Sequence, residues 1–175
     1  MQPTQALYQL RWLTRVLAIV ILMVVGVGFF LPTQYAINRS VVIKASPDEV
    51  MAYLLQAPSW AEWMHVENGK LEINDNALSV GSVMTLKYPD ELQNGRVEIE
   101  RIEDTGVSFQ VTPKAHQMPV ANQLSIEIVN NATQITWIVR GDLDTGLLSP
   151  YIAMFANDIA GGNLELGLQR IADHF

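Results

Sequence analysis

The chain has 175 residues, enough for one compact domain with a hydrophobic core and too few for two ordinary domains. Its 11 basic and 18 acidic residues give a net charge of -7, which argues against a nucleic-acid partner, because such proteins neutralise phosphates with a basic surface. The absence of cysteine excludes disulfides and thiolate ligands, and three histidines are too few to suggest a multi-histidine metal centre. We predict no metal and no cofactor.

The first element is a long apolar segment. Residues 16–31 contain no charged or polar side chain, and a helix over residues 12–31 would be about 30 Å long, the thickness of a bilayer's hydrocarbon core. We therefore predict a short tail over residues 1–11 and a single transmembrane helix over residues 12–34.

A buried core helix and a cleaved signal peptide are the other interpretations of this segment. A buried core helix would show a polar stripe, which this segment lacks. A cleaved signal peptide would end in small residues, but the nearest candidate site, Gln34-Tyr35-Ala36, begins with a long polar residue. An uncleaved anchor is the preferred interpretation.

The charges near the segment give its orientation. Arg11 and Arg15 precede it without any acidic residue, and Arg39 and Lys44 follow it closely. Because long domains cross a membrane largely regardless of charge, the tail should decide, and it favours an amino terminus inside the cell. We expect a single-pass protein of the cell (inner) membrane with its domain on the extracytoplasmic side.

The rest of the chain, residues 36–175, is predicted to form one acidic domain. It holds all 18 acidic residues and nine basic ones, a net charge of -9, so anionic lipid headgroups would repel its surface. A strand is predicted over residues 37–44. Ser46 and Glu49 then form a capping box with proline at the first helical position, which predicts a short helix, and Pro58 starts another that carries Trp60 and Trp63.

The middle of the chain changes to an apolar period of two, separated by turn signals such as Asn94-Gly95 and Asn130-Asn131. This pattern predicts an antiparallel meander with one buried face. The predicted strands lie near residues 71–74, 82–88, 96–103, 107–112, 122–129 and 134–141.

The C-terminal stretch returns to helical spacing and predicts a long helix that covers the apolar face of the sheet. Its apolar residues form two stripes, and the step between them falls on Gly161-Gly162, where we expect a kink or local unwinding. Phe155 and Ile159 should point toward the strands. The stripes are Leu148, Ile152, Phe155 and Ile159, and then Leu164, Leu168, Ile171 and Phe175.

Several motifs in this order resemble the START/polyketide-cyclase/Bet v 1 superfamily, SRPBCC, over about residues 36–174. They are Arg39-Ser40-Val41-Val42-Ile43 before Ala45-Ser46-Pro47-Asp48-Glu49-Val50, Trp60 and Trp63, Thr136-Trp137 before Gly141-Asp142, and Gly162 with Leu164-Glu165 and Gly167-Leu168. The resemblance implies an α+β helix-grip fold, in which a curved seven-stranded sheet wraps a long C-terminal helix and leaves a cavity between them. It implies no single chemistry, since members bind or transport lipids, cyclise polyketides or assist chaperones.

Three functions remain open. The first is a membrane-anchored binding domain for a small apolar ligand such as a lipid, quinone or isoprenoid, with the bilayer as its other partner and no catalysis. The second is a cyclase or aromatase that uses His65 or Glu62 as acid or base. The third is a protein-interaction module with a filled core, whose protein partner the sequence does not identify. The candidate cavity residues are Trp60, Trp63, His65, Phe109, Trp137, Tyr151, Phe155 and Ile159.

Glu62 and His65 also have the spacing that places two side chains on one helical face. Carboxylate-bridged metal sites need two such motifs and further carboxylates, whereas this chain has one copy on a short helix. A solvent-facing histidine at a helix end is the preferred interpretation of His65, and no catalytic residue is assigned.

Overall fold

One long N-terminal helix precedes a seven-stranded sheet and its covering helices. The computed structural model describes residues 3–143 and 146–175. Helix α1 spans Pro3–Gly28 and so begins and ends before the predicted 12–34 segment. Its stretch Tyr8–Gly28 has a mean hydropathy of 2.1 and is long and apolar enough to cross a membrane. Within the described chain the side chains of this stretch are exposed except near its end, where Val25 is half-buried and Gly28 is buried.

The strands form one antiparallel sheet, which confirms the predicted fold class. Its order is β1-β7-β6-β5-β4-β3-β2, so the strands after β1 form a meander and β1 returns to pair with β7. The sheet therefore has β1 at one edge, directly after the apolar helix. The strands are β1 (Gln34–Ile43), β2 (Lys70–Glu72), β3 (Val83–Lys87), β4 (Gly95–Glu103), β5 (Gly106–Thr112), β6 (Val120–Val129) and β7 (Ala132–Asp142), with a 3₁₀ turn at Glu91–Gln93 between β3 and β4.

Alternate residues of the strands form a continuous apolar face, as the period of two predicts. Register pairs Val107 of β5 with Leu124 of β6, and Leu124 with Trp137 of β7. These side chains are buried, and the C-terminal helix α5 packs against β1 and β7. The core therefore lies between the inner face of the sheet and the helices.

Two short helices close one side of this core. Helix α2 spans Pro47–Leu54, and helix α3 spans Ala57–Trp63. The capping box is present: the Ser46 hydroxyl accepts from the backbone N–H of Glu49, and the Glu49 carboxylate accepts from the backbone N–H of Ser46 at 2.8 Å. The hydrogen bonds that the Ser46 backbone N–H and the Ser46 hydroxyl donate to the Glu49 carboxylate hold the pKa of Glu49 below its ordinary value.

The C-terminal stretch forms two helices, α4 (Ser149–Met154) and α5 (Ala156–His174). The predicted local unwinding at Gly161-Gly162 is wrong, because α5 runs unbroken through both glycines. The break lies at Phe155, which ends α4 and begins α5 with φ −98° and ψ 2°.

The predicted orientation of the first apolar stripe is also wrong. Leu148, Ile152, Phe155 and Ile159 are all exposed, Phe155 by 58% and Ile159 by 66%. Helix α4 ends at Phe155, so the residues before it do not continue the buried face of α5. Ile159 lies within α5 but five residues before Leu164, and at about 100° per residue this step places the two side chains about 140° apart around the helix. Of the second stripe, Leu164, Leu168 and Ile171 are buried as predicted, and Phe175 is exposed.

An ion pair ties α5 to the edge strand. The Arg39 Nε donates to Glu165 Oε1 at 2.5 Å, and its Nη1 donates to Asn157 Oδ1 at 2.9 Å. A side chain at Gly161 would overlap the Arg39 guanidinium, so this glycine lets the helix lie close to β1. The pair therefore connects the strand that follows α1 to the helix that covers the sheet.

Candidate functional site

A cavity of about 540 Å³ lies between the inner face of the sheet and α5. It is at the end of the sheet where β1 begins, since Tyr35 of β1 and Val139 of β7 both line it. Its other walls come from the N-terminal half of α5 and from the chain around the ends of β3 and β5. The apolar part of the lining is Met64, Val66, Leu86, Val111, Pro113, Val120, Trp137, Val139, Ala160 and Leu164.

Three polar side chains reach the inner part of the cavity. The amide of Asn122 is already occupied, because its Oδ1 accepts from Trp137 Nε1 at 3.0 Å and its Nδ2 donates to the Val120 carbonyl at 2.9 Å. Tyr35 and Tyr88 also line the cavity, and their hydroxyls have no hydrogen-bond partner within residues 3–143 and 146–175. Burial raises the pKa of both phenols, so both stay protonated donors at neutral pH.

The rim of the cavity is polar and carries both signs of charge. Lys114 and Glu67 lie on it with His65, Asn68 and Asn163. The Lys114 ammonium is 5.4 Å from the centre of the Tyr88 ring, at cation–π distance. An apolar interior with polar groups at the opening suits a ligand that is largely apolar with one polar end.

The predicted site residues separate into three groups. Trp137 and His65 line the cavity, with Trp137 buried in its wall and His65 exposed at its rim. Trp60, Trp63 and Phe109 are fully buried behind Trp137. The remaining three residues lie on α4 and at the start of α5.

The buried aromatic group is packed solid. The ring centres of Trp60 and Phe109 are 4.8 Å apart, and those of Trp63 and Trp137 are 5.3 Å apart, both pairs edge-to-face. Trp60 Nε1 donates to the Leu54 carbonyl at 2.8 Å, whereas Trp63 Nε1 is buried without a partner in the described part of the chain. Trp60, Trp63 and Phe109 therefore support the cavity wall from behind, whereas Trp137 forms part of its surface.

Tyr151, Phe155 and Ile159 lie away from this cavity. Phe155 and Ile159 are exposed, and the Tyr151 hydroxyl donates to the Val24 carbonyl of α1 at 2.6 Å. Their helical spacing predicted a shared face, but α4 ends at Phe155, and Ile159 lies on the side of α5 opposite to its buried residues.

The proposed acid–base pair does not converge on the cavity. Helix α3 ends at Trp63 and Met64 is extended, so His65 lies beyond the helix and does not share a helical face with Glu62. The Glu62 carboxylate instead accepts a hydrogen bond of 3.3 Å from Tyr53. Within the described residues, no group of three or more His, Cys, Asp or Glu side chains could hold a metal ion.

Sequence reasoning missed Tyr35, Tyr88 and Asn122. A signal existed for Asn122, because it shares strand parity with Leu124 and Ile126 and so faces the core, where a polar residue is unusual. No local signal marks Tyr35 and Tyr88. They line the same cavity because β1 begins and β3 ends at the same edge of it.

The chain is similar to known proteins over its domain. The family model described as "Polyketide cyclase / dehydrase and lipid transport" matches residues 34–175. No curated protein matches the sequence.

Three solved structures illustrate the likeness of fold. A Staphylococcus aureus protein of unknown function has a TM-score of 0.61 at 13% identity, over 79% of this chain and 91% of that one. A Chromobacterium violaceum protein has a TM-score of 0.58 at 12% identity, over 79% and 96%. A hypothetical protein of Helicobacter pylori has a TM-score of 0.58 at 14% identity, over 79% and 86%. At such identities the likeness shows the fold alone.

Proposed function

Because the chain belongs to the polyketide cyclase/dehydrase and lipid transport family, we propose that it is a membrane-anchored domain that binds a small apolar ligand of lipid, quinone or isoprenoid type. The cavity of about 540 Å³ between the sheet and α5 carries this proposal. Its volume falls in the usual range for small-molecule sites, about 300–1,000 Å³.

The chemistry of the cavity favours a ligand with an apolar body and an acceptor oxygen. Trp137, Val139 and Leu164 contribute apolar surface, and each Å² of apolar surface removed from water contributes about 25 cal/mol. The hydroxyls of Tyr35 and Tyr88 have no hydrogen-bond partner in the described part of the chain, so they can donate to a carbonyl, hydroxyl or ether oxygen of the ligand.

Helix α1 is the proposed anchor. Its stretch Tyr8–Gly28 has the length and hydropathy of a membrane span, and only a short turn through Pro32 separates it from β1. Arg11 and Arg15 at its start favour an amino terminus inside the cell and a domain on the extracytoplasmic side. An anchor this close to the domain holds the cavity near the lipid phase in which such ligands dissolve.

The proposal assigns no catalytic residue. A general base must reach the proton that it removes, but Glu62 is bonded to Tyr53 outside the cavity and His65 lies exposed at the rim. The side chains that do reach the interior are two phenols and an amide engaged with Trp137 and Val120.

Ligand capture by the full chain tests the proposal. Wild type, Ala160→Trp and Gln169→Trp are purified in the same detergent, and co-purifying molecules are extracted with organic solvent and identified by mass spectrometry. Ala160 lines the cavity, whereas Gln169 is exposed on the same helix and does not line the cavity. Lipids that surround α1 should therefore co-purify with all three proteins, and only a ligand of the cavity should differ between them.

We expect one class of apolar molecule in wild type and Gln169→Trp that is strongly depleted in Ala160→Trp. Near-ultraviolet circular dichroism verifies that all three proteins are folded. Identical extracts from the three folded proteins would refute a ligand in this cavity.

A further inference from the structure

We propose that α4 and the first turn of α5 form a second membrane contact, which lies in the interface of the bilayer that holds α1. This inference rests on the proposed function, because it requires α1 to span that bilayer. The surface concerned is called the interfacial face, and it consists of Leu147, Leu148, Ile152, Met154, Phe155 and Ile159.

The interfacial face is an exposed apolar surface with almost no charge. Met154 is 64% exposed, Phe155 58% and Ile159 66%. Asp158 is the only charged residue from position 146 to position 164, in a domain that is otherwise strongly acidic. Contiguous apolar surfaces of this kind mark protein or membrane contacts on soluble domains.

Contacts with α1 fix the depth of this face. The Tyr151 hydroxyl donates to the Val24 carbonyl at 2.6 Å, and Gly28 lets the Tyr151 ring lie against α1, since a side chain there would approach the ring to 3.3 Å. Val24 lies four residues before the end of the Tyr8–Gly28 stretch, about 6 Å along the helix axis. Amphipathic helices at membrane surfaces bury their apolar face to about this depth, roughly 5–10 Å.

The contact with α1 indicates that the bilayer is what covers the interfacial face. Phe29 and Phe30 follow α1 directly and are 75% and 90% exposed, so the apolar surface of the span continues beyond Gly28. A face held against the last turn of a transmembrane helix meets lipid before it meets a soluble partner. A second copy of the chain is the alternative occupant, and the experiment below separates the two.

The position of the interfacial face matters for the cavity. Ile159 immediately precedes Ala160, and Ala160 and Leu164 line the cavity from α5. On the opposite side, Lys114 lines the cavity from a loop that also carries Met118, which is 57% exposed. Contact of this end with lipid therefore places the cavity at headgroup level, where an apolar ligand can enter without crossing water.

Site-specific fluorescence can test this contact, because the chain has no cysteine and each introduced cysteine is unique. Ile159→Cys, Ile128→Cys and Val20→Cys are labelled with an environment-sensitive nitrobenzoxadiazole probe. The labelled full chains are reconstituted in phosphatidylcholine nanodiscs with and without nitroxide-labelled lipid. Ile128 is a matched control, an isoleucine 70% exposed at the opposite end of the sheet, and Val20 reports on the span itself.

We expect nitroxide lipid to quench the probes at Val20 and Ile159, and quenching at Ile159 to exceed that at Ile128 by about twofold or more. Quenching at Val20 with none at Ile159 would overturn the interfacial contact and leave the anchor intact. A blue-shifted probe at Ile159 that nitroxide lipid does not quench would indicate that a second copy of the chain covers the interfacial face. That result would also overturn the proposed contact with lipid. Failure to quench at Val20 would refute the anchor, and the interfacial contact with it.

Discussion

The two parts of the C-terminal helical segment have similar apolar spacing but opposite surroundings. In α5, Leu164, Leu168 and Ile171 are buried against the sheet, whereas Ile152 of α4 and Ile159 in the first turns of α5 are exposed. The period of a helix predicts which side chains share a face, but it does not predict what covers that face. Here the sheet covers one part, and the other part lies beside α1.

The difference has a local cause. The chain turns at Phe155, so the apolar face of α4 leaves the line of the α5 face. Tyr151 then bonds to α1 instead of to the sheet. If this account is correct, substitutions in the buried and exposed parts should differ in their effect on the stability of the domain.

The largest difference in the free energy of unfolding is expected between Leu168→Ala and Ile159→Ala. Leu168 is 2% exposed, and loss of such a buried side chain destabilises a protein by about 2–5 kcal/mol. Ile159→Ala should change the free energy of unfolding by less than about 0.5 kcal/mol, as surface substitutions do. Urea unfolding of the full chain in detergent, followed by tryptophan fluorescence, measures both. Equal losses would show that the first turn of α5 contributes to the core.

An intermediate difference in stability is expected between alanine substitutions at the two adjacent glycines of α5. Gly162 faces open space, so Gly162→Ala should stabilise the domain by about 1 kcal/mol through helix propensity. Gly161→Ala should lose most of that gain, because its methyl group displaces the Arg39 guanidinium from Glu165. Thermal unfolding measures each variant.

The cause of the Gly161 effect can be isolated in an Arg39→Ala background. There the two glycine variants should stabilise the domain equally, because no guanidinium remains to be displaced. A difference that persisted without Arg39 would assign the close approach to another part of β1.

The smallest effect concerns the C-terminal end of α5. The Tyr53 ring stacks on His174 with centres 4.1 Å apart, and burial, followed by the charge and hydrogen bond of Glu62, raises the pKa of Tyr53 to about 12. The folded state thus favours the protonated phenol. Its contribution to stability is complete below pH 10, the ordinary pKa of tyrosine, and is lost as the pH rises toward 12.

Tyr53→Phe should therefore reduce the loss of stability between pH 10 and 12, with little change at neutral pH. Ultraviolet titration of tyrosinate should also lose its highest-pH step in this variant. If wild type and variant lose stability in parallel above pH 10, another group dominates the alkaline transition.

Much of the fold could be predicted because its signals are local. The capping box at Ser46, the turn at Asn130-Asn131 and the period of two in β7 each depend on neighbouring residues. The covering helix followed from the apolar face of the sheet. Its break at Phe155 did not, because there is no glycine or proline at the break itself. Of the two glycines nearby, Gly161 allows the close approach of Arg39 and Gly162 faces open space.

The site was less predictable. Its walls come from β1, β3, β5, β6, β7 and α5, so their convergence depends on the curvature of the sheet and on where each strand begins or ends. Trp137 and His65 were predicted and do line the cavity, whereas the other tryptophans were expected there and instead fill the core behind it. Aromatic residues predict burial well but do not distinguish a cavity wall from the packing that supports it.

The ion pair of Arg39 has a mechanical consequence. Arg39 lies on β1, the first element after α1, and its guanidinium holds Glu165 and Asn157 of the helix that roofs the cavity. A movement of α1 relative to the sheet would therefore be transmitted by β1 and the Arg39 ion pair to α5. Because α5 also lines the cavity, such a movement would change the distance between this helix and the sheet, and with it the width of the cavity.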